Sequence, residues 1–220
     1  MILSAGYGTR LKPYTDNLPK ALVKYKNIPM INYQINRLRE AGADEIIINA
    51  HHFPELLTDH FLQNDFGVKC TVITEKDILG TGGGILNAEY LLKNEKYFLV
   101  INVDVDTNMD LQGMIDYHEL KDPFATIAVQ RRPTLRRLQF DDNMKLIGRG
   151  TENINEKSLY GFNGIHIISR RIFENEIDTK IHDILNIYLE VIADKKEFVA
   201  GFDAGKSTFK DLGKPENLFS

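Results

Sequence analysis

The sequence predicts an α/β fold with a mixed, mostly parallel sheet and helices on both of its faces. Apolar, strand-like runs alternate with segments of helical periodicity through residues 1–130, and such alternation is typical of βαβ units. The runs are apolar at nearly every position, as in Ile46, Ile47 and Ile48, a composition found in strands that are buried on both faces. The predicted arrangement is therefore Rossmann-like.

The first part of the chain is predicted to alternate strands with helices, joined by right-handed crossovers. The predicted strands are residues 1–4, 45–50, 69–74, 97–103 and 124–130. The predicted helices are residues 29–41, 54–63, 82–92 and 111–120. The first helix stops before Gly42, and a glycine at this position favours a helix end.

The pattern changes after Gln130. Residues 138–140 and 144–147 flank a polar turn at 141–143 and predict a hairpin. A strand at 161–169, a helix at 181–193 and a strand at 196–203 are expected to follow. The sequence contains no linker, repeat or low-complexity segment, so the prediction is one domain over residues 1–220.

Composition argues against several classes of protein. The 220 residues are 43% hydrophobic and 26% charged, as in ordinary globular proteins. A net charge of −4 without a basic block argues against a nucleic-acid partner. The single cysteine, Cys70, argues against a disulfide framework or a thiolate metal site. With no apolar run near the ~20 residues that cross a bilayer and no basic leader, we expect a soluble, cytoplasmic protein with no membrane partner. Homo-oligomer formation is left open.

The stretch from Ile2 to Pro13 predicts a polyphosphate site. A short apolar strand leads into a loop with two glycines, Gly6 and Gly8, and an arginine and a lysine follow. Glycines let the backbone approach a ligand closely, and successive N–H groups in such a turn form a concave anion site.

Two other nucleotide-binding patterns fail on spacing. The first loop begins like a dinucleotide fingerprint, but Leu11 stands where the third glycine belongs and Pro13 opposes a helix there. Residues 205–207 look like the end of a P-loop, but Ala200 stands where its first glycine belongs. The run from Gly80 to Gly84 instead joins a strand to a helix at the carboxyl end of the sheet, where open α/β sheets bind ligands. We expect a flat group such as a nucleobase to lie against it.

Two candidate metal ligands are carboxylates. Asp104 follows the fourth predicted strand and is expected to face the phosphate loop on the neighbouring first strand, where it would be a natural Mg²⁺ ligand. Asp211, near the carboxyl end of the sequence, is a second candidate. His51 and His52 are adjacent and have no third ligand at metal-like spacing, so the sequence does not favour zinc.

Together these segments resemble the sugar-phosphate nucleotidyltransferases, the NDP-sugar pyrophosphorylases. The family's signature, A-G-x-G-T-R-L-x-P followed by P-K-x-L-V, stands here at residues 5–13 and 19–23. The resemblance continues at residues 79–85, 102–104, 160–165 and 211–216, and so spans nearly the whole chain. The chain looks most like the short, single-domain branch similar to N-acetylmuramate-1-phosphate uridylyltransferase and to mannose- or heptose-1-phosphate guanylyltransferases.

This resemblance implies a role for each matching residue. The nucleotide-binding residues would be Ala5, Gly6, Gly8, Thr9, Gly80, Gly82 and Gly83. Arg10 would contact the leaving pyrophosphate, and Lys20 would hold the phosphates near the reacting centre. Asp104 and Asp211 would share Mg²⁺, while Asn163 and Gly164 would line the sugar site. Residues 1–130 would form a nucleotide-binding half and residues 131–220 a sugar-binding half.

The chain departs from the family's pattern at three places. Val103 stands where relatives usually have a glycine before the metal-binding aspartate, and Lys214 replaces the usual threonine after Asp211-Leu-Gly. The Glu-Lys pair that many relatives use on the sugar phosphate is not evident in residues 147–151. The third departure puts the sugar specificity in doubt.

The expected activity is NTP plus sugar 1-phosphate giving NDP-sugar and pyrophosphate. The glycine run looks most like that of the muramate-type enzymes, and this resemblance favours UTP with N-acetylmuramate 1-phosphate; GTP with a mannose- or heptose-type acceptor is the alternative. Two further alternatives are a cytidylyltransferase for a choline-type phosphate, which would need an aromatic cage, and a nucleotide-sugar sensor without turnover.

Overall fold

The structure is a computed structural model and is described for residues 1–150, 156–174, 183–193 and 196–218. Its strands are β1 (Ile2–Leu3), β2 (Lys24–Tyr25), β3 (Ile28–Pro29), β4 (Glu45–Ala50), β5 (Lys69–Thr74), β6 (Tyr97–Asn102), β7 (Val105–Asp106), β8 (Ala125–Gln130), β9 (Arg137–Phe140), β10 (Leu146–Arg149), β11 (Leu159–Ser169), β12 (Val199–Asp203) and β13 (Lys210–Asp211). Its α-helices are α1 (Met30–Glu40), α2 (Pro54–Gln63), α3 (Gly80–Leu86), α4 (Glu89–Leu92), α5 (Leu111–Lys121) and α6 (Ile184–Ala193).

A mixed sheet contains nine of the described strands. Its main path runs β10, β9, β11, β6, β1, β4, β5, and β8 and β12 extend it from β11. The strands β6, β1, β4 and β5 are parallel, and β11 is antiparallel to β6. The predicted α/β fold is therefore confirmed. Because parallel strands end on the same side, the carboxyl ends of β1, β4, β5 and β6 share one edge of the sheet, which is where such sheets bind ligands.

The sheet separates two hydrophobic cores. Side chains alternate between its faces along β4, so that Ile46 and Ile48 join the core formed with α1, α2 and α5, and Ile47 joins the core formed with α3 and α6. The same alternation divides Val100 and Ile101 of β6. Each such side chain contributes about 1.5–3 kcal/mol when fully buried. The prediction of helices on both faces is confirmed.

Helix and strand ends follow local sequence signals. The strands β4 and β5 and the helix α2 have the bounds that the sequence predicts. The helix α1 ends at Glu40, and Gly42 follows with a φ of 89°, which glycine adopts without steric cost. Asp110 caps α5 by accepting a hydrogen bond from the Gly113 N–H at 3.0 Å. The predicted helix 181–193 is confirmed from Ile184 onward, and residues 181–182 lie outside the described ranges.

The predicted helix at residues 82–92 is wrong in its bounds. The structure has two short helices instead, α3 and α4, and the first begins at Gly80. Gly82, Gly83 and Gly84 are buried within α3 and do not precede it. Because glycines have no side chains to reveal a helical period, the start of α3 at Gly80 could not be predicted from the sequence. A Cβ at Gly84 would lie 2.7 Å from Asn49 Nδ2, so this glycine lets α3 pack closely against β4.

Two pairs of two-residue strands were not expected from the sequence, because two residues show no alternation. The strands β2 and β3 form a hairpin. The strands β7 and β13 pair antiparallel, with Asp211 opposite Val105. This second pair brings residue 211 beside the end of β6, more than 100 positions earlier in the sequence.

None of the helices in the described residues combines the length and apolar composition that spanning a membrane requires.

Candidate active site

A cavity of about 210 Å³ lies at the carboxyl edge of the parallel strands. Its lining comes from the segments that follow β1, β4, β5 and β6, together with one lysine. The lining includes Ala5, Gly6, Lys20, Asn49, Glu75, Gly80, Thr81, Asn102 and Asp104. The cavity therefore joins the glycine loop, the start of α3 and the first predicted metal ligand.

In the glycine loop after β1, Gly8 is needed for the conformation of the loop, and Gly6 faces open space. Gly8 has a φ of 65°, and a Cβ there would lie 2.9 Å from Thr15 Cγ2. The Thr15 hydroxyl donates to the Gly8 carbonyl at 2.9 Å. At Gly6, no heavy atom lies within 4 Å of the position that a Cβ would take. The Gly6 backbone is thus accessible to a ligand from the cavity side.

Two cations and two carboxylates meet beside this loop. Lys20 Nζ lies 3.0 Å from Asp104 Oδ2, and both side chains are largely buried. Arg10 Nη1 donates to Asp211 Oδ2 at 2.8 Å, and its Nη2 lies 3.9 Å from Asp104 Oδ2. The Arg10 side chain is 57% exposed and the Lys20 side chain 15% exposed. The structure therefore brings together four residues that the sequence places at 10, 20, 104 and 211.

Gly213 makes this convergence possible. A Cβ at this residue would lie 2.6 Å from Arg10 Nη2, 2.6 Å from Asp104 Oδ2 and 2.9 Å from Asp211 Oδ1. Its backbone N–H donates to Asp211 Oδ1 at 3.0 Å. Only a residue without a side chain fits between these charged groups in this arrangement, and no local sequence pattern indicates this requirement.

The charges in this cluster shift the pKa values of Asp104 and Arg10. Burial alone would raise the pKa of Asp104, but the ion pair and hydrogen bond with Lys20, supported by Arg10, lower it below its usual value. The hydrogen bond to Asp211 raises the pKa of Arg10. Asp104 and Arg10 are therefore charged near neutral pH.

The donor set at this position fits Mg²⁺. Asp104 and Asp211 direct their oxygens toward the same point at Gly213. Mg²⁺ is commonly bound by one or two carboxylates together with substrate phosphates and water. The described residues contain no cluster of three or more His, Cys, Asp or Glu side chains that could hold a metal alone, so substrate oxygens would have to complete the coordination.

The cavity also contains a polar network that the sequence did not reveal. Asn49 Nδ2 donates to Glu75 Oε1 at 2.7 Å, and the Leu79 N–H donates to Glu75 Oε2 at 3.2 Å. The Ser4 N–H donates to Asn49 Oδ1 at 2.7 Å. Glu75 is buried to 3% exposure and lines the cavity. A polar residue at the carboxyl end of a buried parallel strand is the signal that could identify both residues: Asn49 is the last but one residue of β4, and Glu75 directly follows β5.

The other predicted nucleotide-binding residues lie at different depths. Ala5 and Gly80 line the cavity. Thr9 begins a short 3₁₀ helix that continues to Leu11 and is exposed. Gly82 and Gly83 are buried inside α3 and are not among the cavity-lining residues.

The predicted sugar-binding residues lie on β11 next to the end of β6. Gly164 has a φ of 72°, and a Cβ there would lie 2.8 Å from Asn102 Nδ2. Asn163 is 1% exposed, and its Oδ1 accepts a hydrogen bond from Arg132 Nε at 3.0 Å. Its Nδ2 is buried and has no hydrogen-bond partner among the described residues.

The three departures from the family pattern have different structural settings. The Val103 side chain is fully buried in the core and does not enter the site. Lys214 is exposed and precedes a 3₁₀ helix at Pro215–Asn217. Of residues 147–151, Thr151 lies outside the described ranges, and Ile147 is 53% exposed.

A fold with a carboxyl-edge cavity, a glycine loop and converging aspartates defines a nucleotide-binding α/β protein. The Nucleotidyl transferase family matches residues 1–140, and the chain belongs to this family. The prediction of a sugar-phosphate nucleotidyltransferase relationship is confirmed.

Similar proteins extend this assignment. A mannose-1-phosphate guanyltransferase from Kluyveromyces lactis is 30% identical over 228 residues, which cover 100% of this chain and 62% of the relative. The chain thus spans less than two thirds of that relative's length. HddC from Yersinia pseudotuberculosis, solved with GMP-PN, has 24% identity and a TM-score of 0.79 over 99% of this chain and 95% of that structure. A putative glucose-1-phosphate thymidylyltransferase from Bacillus anthracis has 19% identity and a TM-score of 0.83 over 99% of this chain and 91% of that structure. These structures share the fold.

Proposed function

We propose that this chain transfers a nucleoside monophosphate from an NTP to a sugar 1-phosphate. The observation that carries the proposal is the cluster of Arg10, Lys20, Asp104 and Asp211 beside the glycine loop and the cavity. Residues 1–130 would hold the nucleotide and residues 131–220 the acceptor. An oxygen of the sugar phosphate attacks the α-phosphorus. The bond between the α-phosphorus and the oxygen that bridges it to the β-phosphorus breaks, and pyrophosphate leaves with that oxygen.

This reaction needs alignment and charge neutralisation more than proton transfer. The sugar phosphate is already an anionic nucleophile, so a general base is not required, and positioning with electrostatic stabilisation dominates such transfers. Arg10 offers a fork of donors for the departing pyrophosphate. Lys20 places a buried positive charge at the reacting phosphate. Asp104 and Asp211 would hold Mg²⁺, which supplies charge neutralisation at the phosphates when bound.

Guanine is the base that the cavity favours. Each Glu75 oxygen accepts one protein hydrogen bond and keeps a further lone pair for a ligand. Guanine carries two adjacent N–H donors on one edge, which match a carboxylate, whereas uracil has one N–H between two carbonyl oxygens that a carboxylate would repel. The relative from Kluyveromyces lactis is named a mannose-1-phosphate guanyltransferase. The carboxylate favours GTP over UTP, and the name of this relative favours GTP with mannose 1-phosphate over UTP with N-acetylmuramate 1-phosphate.

The choline-type alternative is less well supported by the aromatic residues. Tyr160 is buried and packs against Phe140. The Arg131 guanidinium lies over the Tyr160 ring, with Cζ 5.0 Å from the ring centroid. Phe162 packs edge-on against His166. These contacts leave little aromatic surface for a quaternary ammonium group.

The test is pyrophosphate release by the purified chain with Mg²⁺. GTP, UTP, CTP and dTTP are each paired with mannose 1-phosphate and with N-acetylmuramate 1-phosphate. We expect the highest kcat/KM with GTP and mannose 1-phosphate. No pyrophosphate from any pair, with tight binding of GDP-mannose, would favour the sensor alternative and refute the transferase.

The base assignment has its own test in Glu75→Gln. This isosteric change replaces one acceptor oxygen by a donor, so KM for GTP should rise by about 10- to 100-fold. The matched control is Asp77→Asn in the same loop, where Asp77 is exposed and does not line the cavity. An unchanged preference for GTP in Glu75→Gln would remove Glu75 from base recognition.

A further inference from the structure

Arg132 is hydrogen-bonded to β11 and lies near the carboxylate cluster. Its guanidinium lies over the Phe209 ring, with Cζ 4.2 Å from the ring centroid. A Cβ at Gly161 would lie 3.1 Å from Arg132 Cζ and 3.2 Å from its Nε. The glycine at residue 161 therefore leaves room for the guanidinium, which contacts both an aromatic ring and a strand.

Hydrogen bonds fix the orientation of this guanidinium and leave part of it free. Arg132 Nε donates to Asn163 Oδ1 at 3.0 Å, and Nη2 donates to the Phe162 carbonyl at 2.7 Å. Within the ranges that the structure describes, Nη1 makes no hydrogen bond to the protein. An arginine whose stem and two donors are fixed loses little further entropy when its remaining donors bind a ligand.

The surroundings of Arg132 point to an anionic ligand. Its partner Asn163 is fully buried, and because Oδ1 faces Arg132, the unpartnered Nδ2 is a donor. A buried donor without an acceptor is costly, so a ligand oxygen there would be stabilising. The neighbouring Gly164 lies against Asn102, which lines the cavity. Phe209 lies two residues before Asp211, and the charge of Asp211 acts on the Arg132 guanidinium, so Arg132 lies near the carboxylate cluster.

The other cations of the site are already directed elsewhere. Lys20 pairs with Asp104, and Arg10 pairs with Asp211 from the side of the glycine loop. A transfer between two phosphates also needs a positive charge on the acceptor phosphate, because the two anions repel each other. Arg132 follows β8, and both of its hydrogen-bond acceptors, on Phe162 and Asn163, belong to β11, the strand that carries the predicted sugar-binding residues.

We propose that Arg132 binds the phosphate of the sugar 1-phosphate acceptor, with Asn163 as its positioning residue. This assignment rests on the proposed transferase function. The free Nη1 edge donates to phosphate oxygens in the charge-assisted geometry that arginine forms with such groups. The acceptor phosphate is thereby held beside Asp211 and across from the nucleotide in the cavity.

The experiment compares Arg132→Gln with Arg131→Gln. The two arginines are adjacent, and each lies over an aromatic ring, but Arg131 donates to Tyr160 Oη and to the Lys157 carbonyl, away from the cluster. KM for mannose 1-phosphate and KM for GTP are measured separately for both variants. Loss of a charge-assisted pair should raise KM for mannose 1-phosphate by about 10- to 100-fold in Arg132→Gln, with KM for GTP within about twofold. Arg131→Gln should leave both values near those of the wild type.

Each outcome decides the assignment. An unchanged KM for mannose 1-phosphate in Arg132→Gln, with an active wild type, overturns the role of Arg132 and leaves the transferase function standing. A wild type that releases no pyrophosphate with any acceptor overturns both. If Arg132→Gln does not fold, as judged by its melting temperature, Arg132→Met keeps the contact with Phe209 without the charge and gives the same test. A rise in KM for GTP equal to that for mannose 1-phosphate would indicate a general structural effect and contradict the assignment.

Discussion

Asp104 and Asp106 are two residues apart beyond the end of β6 and are almost equally buried, with 8% and 9% exposure. Their partners differ in kind. Asp104 faces the amino group of Lys20 and the guanidinium of Arg10. Asp106 accepts hydrogen bonds from the hydroxyl groups of Tyr25 and Tyr33. The sequence alone presents them as two similar carboxylates.

The difference supports the proposal that Asp104 is a functional carboxylate and Asp106 a structural one. The partners of Asp104 are charged side chains beside an open cavity, which a phosphate or a metal ion can replace. The partners of Asp106 belong to β2 and α1, so their hydrogen bonds attach the hairpin and the helix to β7. In both cases, burial would raise the carboxyl pKa and the partners lower it. A lowered pKa therefore does not identify the functional residue, whereas exchangeable partners do.

The largest effect is expected from Asp104→Asn. This change keeps the shape of the side chain but removes a charge that the proposed metal site requires, so kcat should fall by roughly 1,000-fold or more. The measurement is pyrophosphate release under saturating substrates, with the melting temperature as a check on folding. Activity within tenfold of the wild type would remove Asp104 from the metal site.

A second comparison uses the lysine beside each carboxylate. Lys20 lies 3.0 Å from Asp104 and is 15% exposed, whereas Lys26 lies 3.7 Å from Asp106 and is 59% exposed. Lys20→Met should lower kcat/KM by about 100-fold, because it removes a buried charge at the reacting phosphates. Lys26→Met should change activity by less than about twofold, as exposed ion pairs contribute little. Equal losses of activity in the two variants would argue against different roles for Asp104 and Asp106.

The hydrogen bonds from Tyr25 and Tyr33 to Asp106 should affect stability and not turnover. Tyr25→Phe leaves Asp106 with one fewer donor in a buried position, so the free energy of unfolding should fall by about 1–3 kcal/mol. Urea denaturation measures this loss. The kcat per folded molecule should stay within a few-fold of the wild type, and a loss comparable to that of Asp104→Asn would place Asp106 and its partners in the active site.

The smallest effect concerns alkaline pH. Burial, together with the hydrogen bond to Asp106, raises the pKa of Tyr33 to about 12, compared with about 10 in an unfolded chain. Because the folded state holds this proton more tightly, its stabilisation is complete below pH 10 and is lost as the pH rises from 10 toward 12. Tyr33→Phe should therefore flatten the fall of the melting temperature in this range. An identical slope in both proteins would show that Tyr33 titrates normally.

The sequence predicts those elements that have enough residues to show a period. The strand β4 has three successive isoleucines and is bounded by the polar residues Glu45 and His51, so its bounds follow from composition. The helix α3 could not be found in this way, because its glycines have no side chains to mark a buried face. The pairing of β7 with β13 depends on contacts between residues about 100 positions apart, and no local pattern encodes it.

The same limit applies to the site. The glycine loop and Asp104 were found from local sequence, and Asp211 was linked to Asp104 only through the family resemblance. The proposed roles of Glu75 and Arg132 do not follow from local sequence, because they depend on what other segments place beside these residues. Glu75 looks like the polar end of a strand until Asn49 and α3 enclose it. Arg132 looks like half of an exposed pair until its contacts with Phe209 and Gly161 are seen.

We propose that the cluster of Arg10, Lys20, Asp104 and Asp211 promotes transfer of a nucleoside monophosphate, with its α-phosphorus, to a sugar phosphate. Incubation with Mg²⁺, mannose 1-phosphate and GTP labelled either in the α- or in the γ-phosphate tests this reaction. We expect the α-label to enter GDP-mannose, the γ-label to leave as pyrophosphate, and Asp104→Asn to abolish both. Release of the γ-label as inorganic phosphate, or its transfer to mannose 1-phosphate, would refute the proposed transfer.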